Sequence, residues 1–483
     1  MGYIEKTQSY HHQVNARRKG YRKKAFAYLM EMGTGKTKVD IDETCELFLD
    51  GEIDLQVVFA PKGVYMNWIE QEFPAHMPDA IRRVCKIVPW RAGAGPARAL
   101  EELLQPFSGL RILVINVEAF STGRRALDYV LSLMQTSKLG VKVTIDESPT
   151  IKNPSSDRTS GVMEIRKFSK YRRILTGNAS PNSPMDLYSQ FTWLDEKILG
   201  FTSFFSFRAR YAVLKRQDFG GRKVWIIVAF KEIDGLNGKI SPHSFRVLKS
   251  ECLDLPPKIY QQKIVELTDD QARMYKELRR SATTQIEEGG PHVTATEVIV
   301  QMTRLHQLIC GHVVDEEGNT HDVKSNRIKA MLEVIEDTTG KVIIWSIYRH
   351  DIEKIVEALS KEYKSTKCVV EYHGGISNDG RTAAINRFQK DPDCRFFVAN
   401  AQTGGRGITL TAASTVIYYS NDFSLDNRMQ SEDRAHRVGL DHSVNYVDLV
   451  TPNTLDIKVV KALRNKINIS SVIMGDGFRE WLI

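Results

Sequence analysis

The stretch that decides the fold is Tyr28–Thr37, which reads Tyr-Leu-Met-Glu-Met-Gly-Thr-Gly-Lys-Thr. A short apolar run leads into a glycine loop, and Lys36 and Thr37 begin a predicted helix. Glycines let backbone N–H groups approach a polyphosphate, the helix N-terminus adds positive potential, and a lysine reaches the terminal phosphates. The pattern indicates a nucleotide site in which the Thr37 hydroxyl suits a magnesium ion. The phosphate-loop pattern requires glycine where Met30 stands, so the alternative is a glycine turn that only caps a helix.

The length and composition of the chain limit its number of domains, its compartment and the metal sites that it can form. The 483-residue chain exceeds the size of one hydrophobic core, so we expect at least two domains. No apolar run approaches the roughly 18 residues of a membrane span, and the polar N-terminus lacks the apolar region of a signal peptide. Six scattered cysteines without a Cys-x-x-Cys pair favour a reducing compartment. His306, Cys310 and His312 lie close in sequence, but they lack the second ligand cluster that a zinc site needs.

The net charge of +8 is unevenly distributed along the chain. Residues 151–250 contain 18 Lys and Arg but only 8 Asp and Glu, so the rest of the chain is close to neutral. A concentrated basic segment is typical of a protein that binds a phosphate backbone. The alternative is a solvated basic surface.

Strand and helix patterns alternate through the first 200 residues. Such alternation implies a parallel sheet covered on both faces, with the ligand at the carboxyl ends of the strands, where the glycine loop lies. The predicted strands are Gln56–Ala60, Arg111–Ile115, Lys142–Ile145 and Arg173–Leu175, and the predicted helices are Lys38–Leu49, Ala97–Leu104 and Ala126–Met134.

The alternation stops after Leu199, and residues from about 200 to 250 are predicted to form a small mixed insertion. Four phenylalanines between positions 201 and 207 precede Arg208 and Arg210. They either form a small core or stack on nucleic-acid bases. Val224–Val228 is predicted to be one strand of a hairpin.

A second α/β alternation follows Pro256-Pro257, which marks a natural boundary. The chain is therefore predicted to be an α/β protein with two copies of one architecture, each a mostly parallel sheet with helices on both faces. The elements predicted in the second copy are the strands Lys341–Trp345, Cys368–Tyr372, Arg395–Ala399 and Thr415–Tyr419, and the helices Asp351–Leu359 and Arg381–Gln389.

Two adjacent acids end the predicted strand Val143–Glu147. Phosphoryl transfer needs a carboxylate to hold magnesium and a second group to orient the attacking water. Asp146 suits the first task and Glu147 the second. Strand ends are commonly acidic, so the pair is informative because it follows a glycine loop by about a hundred residues in the same predicted domain.

Near the C-terminus, Gln430–Arg437 contains Arg434 and Arg437, which lie three residues apart and hence on one face if the segment is helical. Two arginines that reach across a cleft can neutralise charge on a transferring γ-phosphate. The alternative is a surface helix whose charges are balanced by Glu432 and Asp433.

Together these motifs resemble those of the superfamily-two helicase-related ATPases, and within them the Swi/Snf-type DNA translocases. The motifs occur in the family's order over roughly residues 10–465, and the resemblance is to a compact bacterial or bacteriophage version. The matching segments are the phosphate loop Gly33–Thr37, the acidic box Asp146–Pro149 with Ile151–Asn153, the third motif Leu175–Gly177, the linking segments Arg246–Lys249, Leu255–Lys258 and Val265–Thr268, the fifth motif Thr403–Ile408 with Leu410–Ala413, and Gln430–Arg437.

The resemblance implies two RecA-like lobes, residues 1–255 with the insertion and residues 256–483, with ATP and Mg²⁺ in the cleft between them. It assigns DNA-backbone contacts to Lys62, Asn153 and Thr403, although Lys62 is equally compatible with an ordinary surface loop. The catalytic residues it implies are Lys36, Glu147, Arg434 and Arg437, the metal ligands are Thr37 and Asp146, and the nucleotide contacts are Gln13, Gly33, Thr34, Gly35, Lys36, Thr37 and Gly405.

Four residues depart from the family pattern. Pro149 replaces the histidine of the acidic box, and Asn178-Ala179 replaces a common Thr-Pro in the third motif. These changes affect the expected coupling between ATP turnover and movement, but they leave Asp146 and Glu147 in place. Arg406 stands where many chromatin remodellers carry leucine.

The expected function is that of a DNA-dependent ATPase, a motor that translocates on double-stranded DNA in the bacterial or host cytoplasm, associated with the nucleoid. One alternative is a strand-separating helicase acting on branched DNA or RNA, which Arg406 favours. The other is a non-catalytic DNA-binding clamp, against which the intact Lys36, Asp146 and Glu147 argue.

Overall fold

The computed structural model describes residues 3–62, 64–91, 97–180, 183–219, 222–252, 255–288, 295–404, 408–421, 424–437, 440–461 and 463. The chain divides into two compact units. The first contains the residues up to Ala212 together with Phe230–Asp254, and the second contains Val213–Ala229 together with Leu255–Ile467. The lobe boundary predicted at 255/256 and the limits of the insertion remain predictions.

The strands follow the apolar runs of the sequence. In the described residues they are β1 (Ala25–Met30), β2 (Leu55–Ala60), β3 (Cys85–Pro89), β4 (Leu110–Asn116), β5 (Val141–Asp146), β6 (Tyr171–Leu175), β7 (Ala212–Phe219), β8 (Arg222–Phe230), β9 (Ser244–Val247), β10 (Lys258–Ile264), β11 (His312–Val314), β12 (Thr320–Asp322), β13 (Lys341–Trp345), β14 (Val369–Tyr372), β15 (Phe396–Ala399), β16 (Ala413–Tyr418) and β17 (Val444–Val450).

The helices fill the connections between these strands. In the described residues they are α1 (His11–Gly20), α2 (Lys36–Leu49), α3 (Tyr65–Asn67), α4 (Phe73–His76), α5 (Asp79–Arg83), α6 (Ala97–Leu104), α7 (Arg125–Gln135), α8 (Asp157–Ile165), α9 (Leu187–Leu194), α10 (Glu196–Leu199), α11 (Phe204–Tyr211), α12 (Ile233–Ile240), α13 (Lys249–Cys252), α14 (Asp269–Glu288), α15 (Ala295–Cys310), α16 (Arg327–Glu336), α17 (Arg349–Glu362), α18 (Asn378–Lys390), α19 (Ala401–Gly404) and α20 (Leu425–Ala435).

The first unit is built on a seven-stranded sheet in the order β3-β4-β2-β5-β6-β1-β9. Its neighbouring strands all pair in parallel. The central strands β2 and β5 are buried along their whole length, as expected for a parallel sheet with both faces covered. The order places β1 between β6 and β9, so the segments that follow these three strands meet at one edge of the sheet.

The second unit is built on a six-stranded parallel sheet in the order β10-β17-β16-β13-β15-β14. The strands predicted around β13, β14, β15 and β16 are all present. The prediction of two mostly parallel sheets with helices is therefore confirmed, whereas β10 and β17 were not predicted.

A fully buried ionic cluster fixes α2 against β5 and β6 in the first unit. Lys142 Nζ lies 2.9 Å from Asp40 Oδ1 and 3.1 Å from Glu43 Oε2, and Arg173 Nη2 lies 2.6 Å from Glu43 Oε1. Burial opposes ionisation of Glu43, but the charges of Arg173 and Lys142 outweigh it and hold its pKa at about 2. Buried charges are tolerated when they are paired in this way, and the cluster sets the position of the helix that follows the glycine loop.

The aromatic run of the insertion forms a small core. The ring of Phe207 lies 5.0 Å from that of Tyr211 and 5.5 Å from that of Phe201, and Phe207 and Tyr211 are buried. Of the two interpretations of these phenylalanines, the core is therefore the one observed, although Phe205 is 69% exposed. The predicted hairpin is also present, as the two-stranded sheet β7-β8.

Two further expectations concern membranes and metals. No helix among the described residues is long and apolar enough to cross a membrane. Over the same residues, no cluster of three or more histidine, cysteine or acidic side chains is arranged to hold a metal ion. His312 Nδ1 instead lies 3.0 Å from Asp351 Oδ1, and His306 Nε2 lies 3.5 Å from Asp456 Oδ1.

Candidate nucleotide site and nucleic-acid contacts

The glycine loop joins the end of β1 to the first residue of α2. Gly33 and Gly35 have φ angles of +83° and +84°, in the left-handed region that favours glycine. A Cβ atom at Gly35 would lie 2.1 Å from Gln13 Nε2, so this position has no room for a side chain. Lys36 and Thr37 form the first turn of α2, and the backbone N–H groups at a helix N-terminus suit an anion.

Gln13 lies against this loop. Its Nε2 donates to the Thr34 carbonyl at 3.1 Å, and its Oε1 accepts from the Tyr10 N–H at 3.0 Å. His12 Nε2 lies 2.8 Å from the same Thr34 carbonyl, a contact that sequence reasoning missed. These bonds tie α1 to the loop, and the nucleotide contact assigned to Gln13 remains a prediction.

The loop lysine meets the acidic strand end. Lys36 Nζ lies 3.3 Å from Glu147 Oε1, and both side chains are largely buried. Glu147 has a φ of +50°, an uncommon conformation for a non-glycine residue. Thr176 Oγ1, at the end of β6, lies 3.5 Å from Glu147 Oε2. Residues that follow the strands β1, β5 and β6 therefore meet at the Glu147 carboxylate.

Asp146 is buried beside this pair. Trp68 Nε1 donates to its Oδ2 at 3.0 Å, and the Glu147 N–H donates to its Oδ1 at 3.0 Å. Burial raises the pKa of Asp146 to about 7, with a further contribution from the Glu147 charge, while Lys36 and the two hydrogen bonds act in the opposite direction. A buried carboxyl group with a pKa near 7 is only partly ionised at neutral pH. A bound cation would stabilise its ionised form.

Removing the Trp68 hydrogen bond is expected to change the pH dependence of turnover. Trp68→Phe eliminates a bond that favours the ionised form of Asp146, so its pKa should rise further, by about one unit. Magnesium binding by Asp146, which remains a prediction, would require the ionised carboxylate and would be lost as the pH falls through this pKa. The acid limb of ATP turnover at limiting Mg²⁺ should therefore move to higher pH.

The measurement is a pH profile of ATP hydrolysis at several Mg²⁺ concentrations. Trp90→Phe is the matched control, because Trp90 is also a buried tryptophan of the first unit. Identical acid limbs in wild type and Trp68→Phe would remove Trp68 from this role.

The third motif packs directly on the glycine loop. A Cβ atom at Gly177 would lie 3.1 Å from the Met32 amide nitrogen. The Asn178 N–H donates to Thr176 Oγ1 at 3.1 Å, which holds the threonine that faces Glu147. The Asn178 side chain, which departs from the family's usual residue, accepts from the Ser180 N–H at 3.3 Å.

A glutamine connects the acidic box to the third motif. Ser148 Oγ donates to Gln190 Oε1 at 2.6 Å, and Gln190 Nε2 donates to the Ala179 carbonyl at 2.6 Å. Pro149, which replaces the family's histidine, lies in a 3-10 turn beside this connection. The bridge from α9 was not predicted, because nothing in the local sequence around Gln190 indicates it.

A second lysine reaches the glycine loop from far along the chain. The Lys249 N–H donates to Glu31 Oε2 at 2.7 Å, and Lys249 Cε lies 3.5 Å from the place where Gly33 would carry a Cβ. Lys249 follows β9, and Met30 pairs with Val247 across the β1-β9 register. The contact therefore joins the loop to the segment that leads out of the first unit.

Glu31→Ala is expected to weaken nucleotide binding by about tenfold, because it removes the carboxylate that holds the Lys249 N–H beside the loop. Glu251→Gln is the matched control, since Glu251 is an exposed acid that accepts from the Leu248 N–H on the same segment. Titration with a fluorescent ATP analogue measures the effect, and an unchanged Kd in Glu31→Ala would contradict it.

The predicted DNA-contact residues lie in different segments of the chain. Lys62 is exposed just after β2, and its N–H donates to Glu118 Oε2 at 3.2 Å. Asn153 is exposed, and its Oδ1 accepts from the Ser155 N–H at 3.1 Å. Thr403 lies in α19 of the second unit, partly exposed. Gly405 and Arg406, which carry the remaining predictions for this motif, lie outside the described residues.

The two C-terminal arginines differ in their surroundings. Arg434 is buried, and its Nη1 donates to the Ile408 carbonyl at 3.0 Å. Arg437 is partly exposed, and its Nη1 donates to Thr409 Oγ1 at 2.5 Å. The condition for both to lie on one helical face is not met, because α20 ends at Ala435 and the next residue leaves the helical conformation with ψ of +87°.

A glycine loop followed by a helix-initial lysine, with an Asp-Glu pair on a nearby parallel strand, defines a phosphate-loop ATPase. Residues 23–314 match the SNF2-related domain, and residues 324–439 match the helicase conserved C-terminal domain. The chain belongs to the SNF2-related family. This confirms the predicted Swi/Snf-type class within the superfamily-two helicase-related ATPases, and it supports the predicted enzyme class, a DNA-dependent ATPase.

The individual relatives share about a quarter of their aligned residues with this chain. The human TATA-binding protein-associated factor 172 is 23% identical over 379 residues, which cover 68% of this chain and 20% of that protein. The mouse DNA annealing helicase and endonuclease ZRANB3 is 26% identical over 444 residues, covering 91% and 38%. The chain thus spans less than two fifths of the length of these relatives. The Sulfolobus solfataricus SWI2/SNF2 ATPase core in complex with dsDNA aligns over 99% of this chain and 95% of that one, with 23% identity and a TM-score of 0.44.

Proposed function

We propose that the protein is an ATP-driven motor that moves along double-stranded DNA. The observation that carries the proposal is the contact between Lys36 Nζ and Glu147 Oε1 at 3.3 Å, beside the buried Asp146. A phosphate-binding lysine and two acids are the parts that phosphoryl transfer to water requires. A chain that only clamped DNA would have no use for them at this spacing.

The residues present fit ATP and magnesium. The positive φ angles of Gly33 and Gly35 open the loop backbone, and the first turn of α2 supplies further N–H groups for phosphate oxygens. The Thr37 hydroxyl and the Asp146 carboxylate are oxygen donors of the kind that Mg²⁺ prefers. Bound there, the ion would neutralise charge on the phosphates.

Glu147 is the proposed residue that orients the attacking water. In the present structure its carboxylate is paired with Lys36, so a nucleotide phosphate competes with Glu147 for the lysine. We propose that phosphate binding transfers Lys36 to the nucleotide and releases Glu147 toward water. Thr176 Oγ1 lies 3.5 Å from Glu147 Oε2, so movement of Glu147 would change a contact of the third motif.

The second unit would supply Arg434 and Arg437 to the γ-phosphate, as the family's motif implies. Arg437 is the better candidate for a direct contact because it is partly exposed, whereas Arg434 holds the Ile408 carbonyl. In this proposal ATP brings the lobes together and hydrolysis releases them, so that alternating grips advance the DNA.

Lys62, Asn153 and Thr403 are the proposed backbone contacts. Lys62 and Asn153 are exposed and Thr403 is partly exposed, as a phosphate contact requires. Contacts to phosphates position a protein without reading sequence. We therefore expect binding with little sequence preference and a strong dependence on salt.

The test is the rate of ATP hydrolysis with and without blunt duplex DNA, single-stranded DNA and RNA. We expect the largest stimulation by duplex DNA. No stimulation by any nucleic acid would contradict the proposal. An unwinding assay on forked duplexes separates the translocase from the strand-separating helicase that Arg406 favours.

A further inference from the structure

We propose that the hairpin formed by β7 and β8, here called the basic hairpin, is a second contact to duplex DNA and lies in a groove of the double helix. The inference rests on the proposed function in one respect, namely that duplex DNA is the substrate. It adds a contact surface that lies outside the motor motifs and that the family resemblance does not assign.

The basic hairpin is open to solvent on both faces. In the described part of the chain, neither of its strands pairs with a third strand. Successive side chains of a strand point to opposite faces, and the consecutive Ile227 and Val228 are 37% and 50% exposed. Trp225 is 56% exposed and Val213 is 40% exposed. An isolated two-stranded ribbon is marginally stable in water, so apolar side chains on both faces indicate a surface that another molecule covers.

The charge of the ribbon indicates what that molecule is. Its sequence contains Lys215, Arg216, Arg222 and Lys223 but only one acidic residue, Asp218. Lys215 and Arg216 are exposed. This excess of positive charge complements a phosphate backbone, whereas an apolar protein interface is usually depleted of lysine at its centre.

The dimensions of the ribbon fit a DNA groove. The major groove of B-form DNA admits a two-stranded β-ribbon. At about 3.3 Å per residue, the eight residues of β7 extend about 26 Å, which is long enough to reach from the protein surface along a groove. An exposed tryptophan adds a side chain that can stack on a base or pack against a sugar.

The residues at the base of the hairpin contact one another within the first unit. The Lys231 N–H donates to the Tyr211 carbonyl at 2.9 Å, and Arg210 pairs with Glu232 across the same base. Tyr211 is buried against Phe207 in the aromatic core of the insertion. The aromatic residues before the hairpin therefore anchor it, and Trp225 is the exposed aromatic residue of the ribbon itself.

Photocrosslinking tests the contact directly. A benzoyl-phenylalanine replaces Trp225 in one full-length variant and Leu139 in the control, because Leu139 is similarly exposed at 52% but lies elsewhere. With a labelled blunt duplex and no ATP, we expect crosslinks to DNA from position 225 and not from position 139. Crosslinks from 225 to a second copy of the chain instead of DNA would overturn the proposal.

A charge-reversal variant provides an independent measurement. Lys215→Glu with Arg216→Glu should lower duplex affinity by at least about tenfold and reduce the slope of log K against log salt by about 1.8, the value for two lost phosphate contacts. Basal ATP hydrolysis without DNA should not change. Wild-type affinity and slope in this variant, with no crosslinking from 225, would overturn the inference while leaving the motor intact. Failure of the wild type to bind duplex DNA would instead overturn the proposed function, and the inference with it.

Discussion

Glu147→Gln is expected to reduce ATP turnover by about 10²- to 10⁴-fold, the range for loss of a positioned acid–base group. Glutamine keeps the size of the side chain but cannot accept a proton from the attacking water. The substitution also removes the negative partner that lies 3.3 Å from Lys36 Nζ in the present structure. ATP affinity should therefore be unchanged or higher, because Lys36 no longer has to give up an ion pair with Glu147 before it binds a phosphate.

Single-turnover hydrolysis and titration with a fluorescent ATP analogue measure the two parts of this prediction separately. Glu102→Gln is the matched control, since Glu102 pairs with Arg98 on an exposed helix of the same unit. Turnover at the wild-type rate in Glu147→Gln would exclude Glu147 as the water-orienting residue. A large loss of ATP affinity would instead show that its role is to hold the loop.

Arg437→Ala is expected to reduce DNA-stimulated turnover by about 10³-fold, at the lower end of the range for an arginine that stabilises phosphoryl transfer. Its guanidinium is partly exposed and donates to Thr409 Oγ1 at 2.5 Å, so removing it leaves no buried group without a partner. The melting temperature should therefore stay close to that of the wild type.

Arg434→Ala should behave differently. Arg434 is buried, with Nε donating to the Gln430 carbonyl at 2.9 Å and Nη1 donating to the Ile408 carbonyl at 3.0 Å. Deleting these donors should destabilise the second unit by about 2–4 kcal/mol, since buried carbonyls lose charged partners. The melting temperature and the ATPase rate of both variants are measured and compared. Equal melting temperatures with equal losses of activity would mean that both arginines act on the nucleotide.

Much of the first-unit site could be predicted because its parts lie at the ends of strands with a clear sequence pattern. The glycine loop follows β1 and the acidic pair follows β5, and the carboxyl ends of parallel strands meet at one edge of a sheet. That rule alone predicts that Lys36 and Glu147 lie close together. β1 is an almost completely buried apolar strand, and β5 is a buried strand in which valine and isoleucine alternate with polar residues, so both patterns indicated strands.

The contacts that were missed depend on strand order and on single side chains. Lys249 reaches the loop because the four-residue strand β9 pairs beside β1, and a strand so short leaves little periodic signal. The bridge through Gln190 depends on where α9 packs, which its own sequence does not indicate. The helical expectation for Arg437 failed because the Gln430–Arg437 motif continues two residues past the end of the helix.

Displacement of a third strand from a DNA triplex is the measurement that tests the central claim most directly. A motor that moves along duplex DNA must remove a triplex-forming oligonucleotide bound ahead of it. We predict that the wild type releases the third strand when ATP is hydrolysed, that Glu147→Gln does not, and that the underlying duplex stays paired. A third strand that remains bound while the protein hydrolyses ATP on the same DNA would contradict the account.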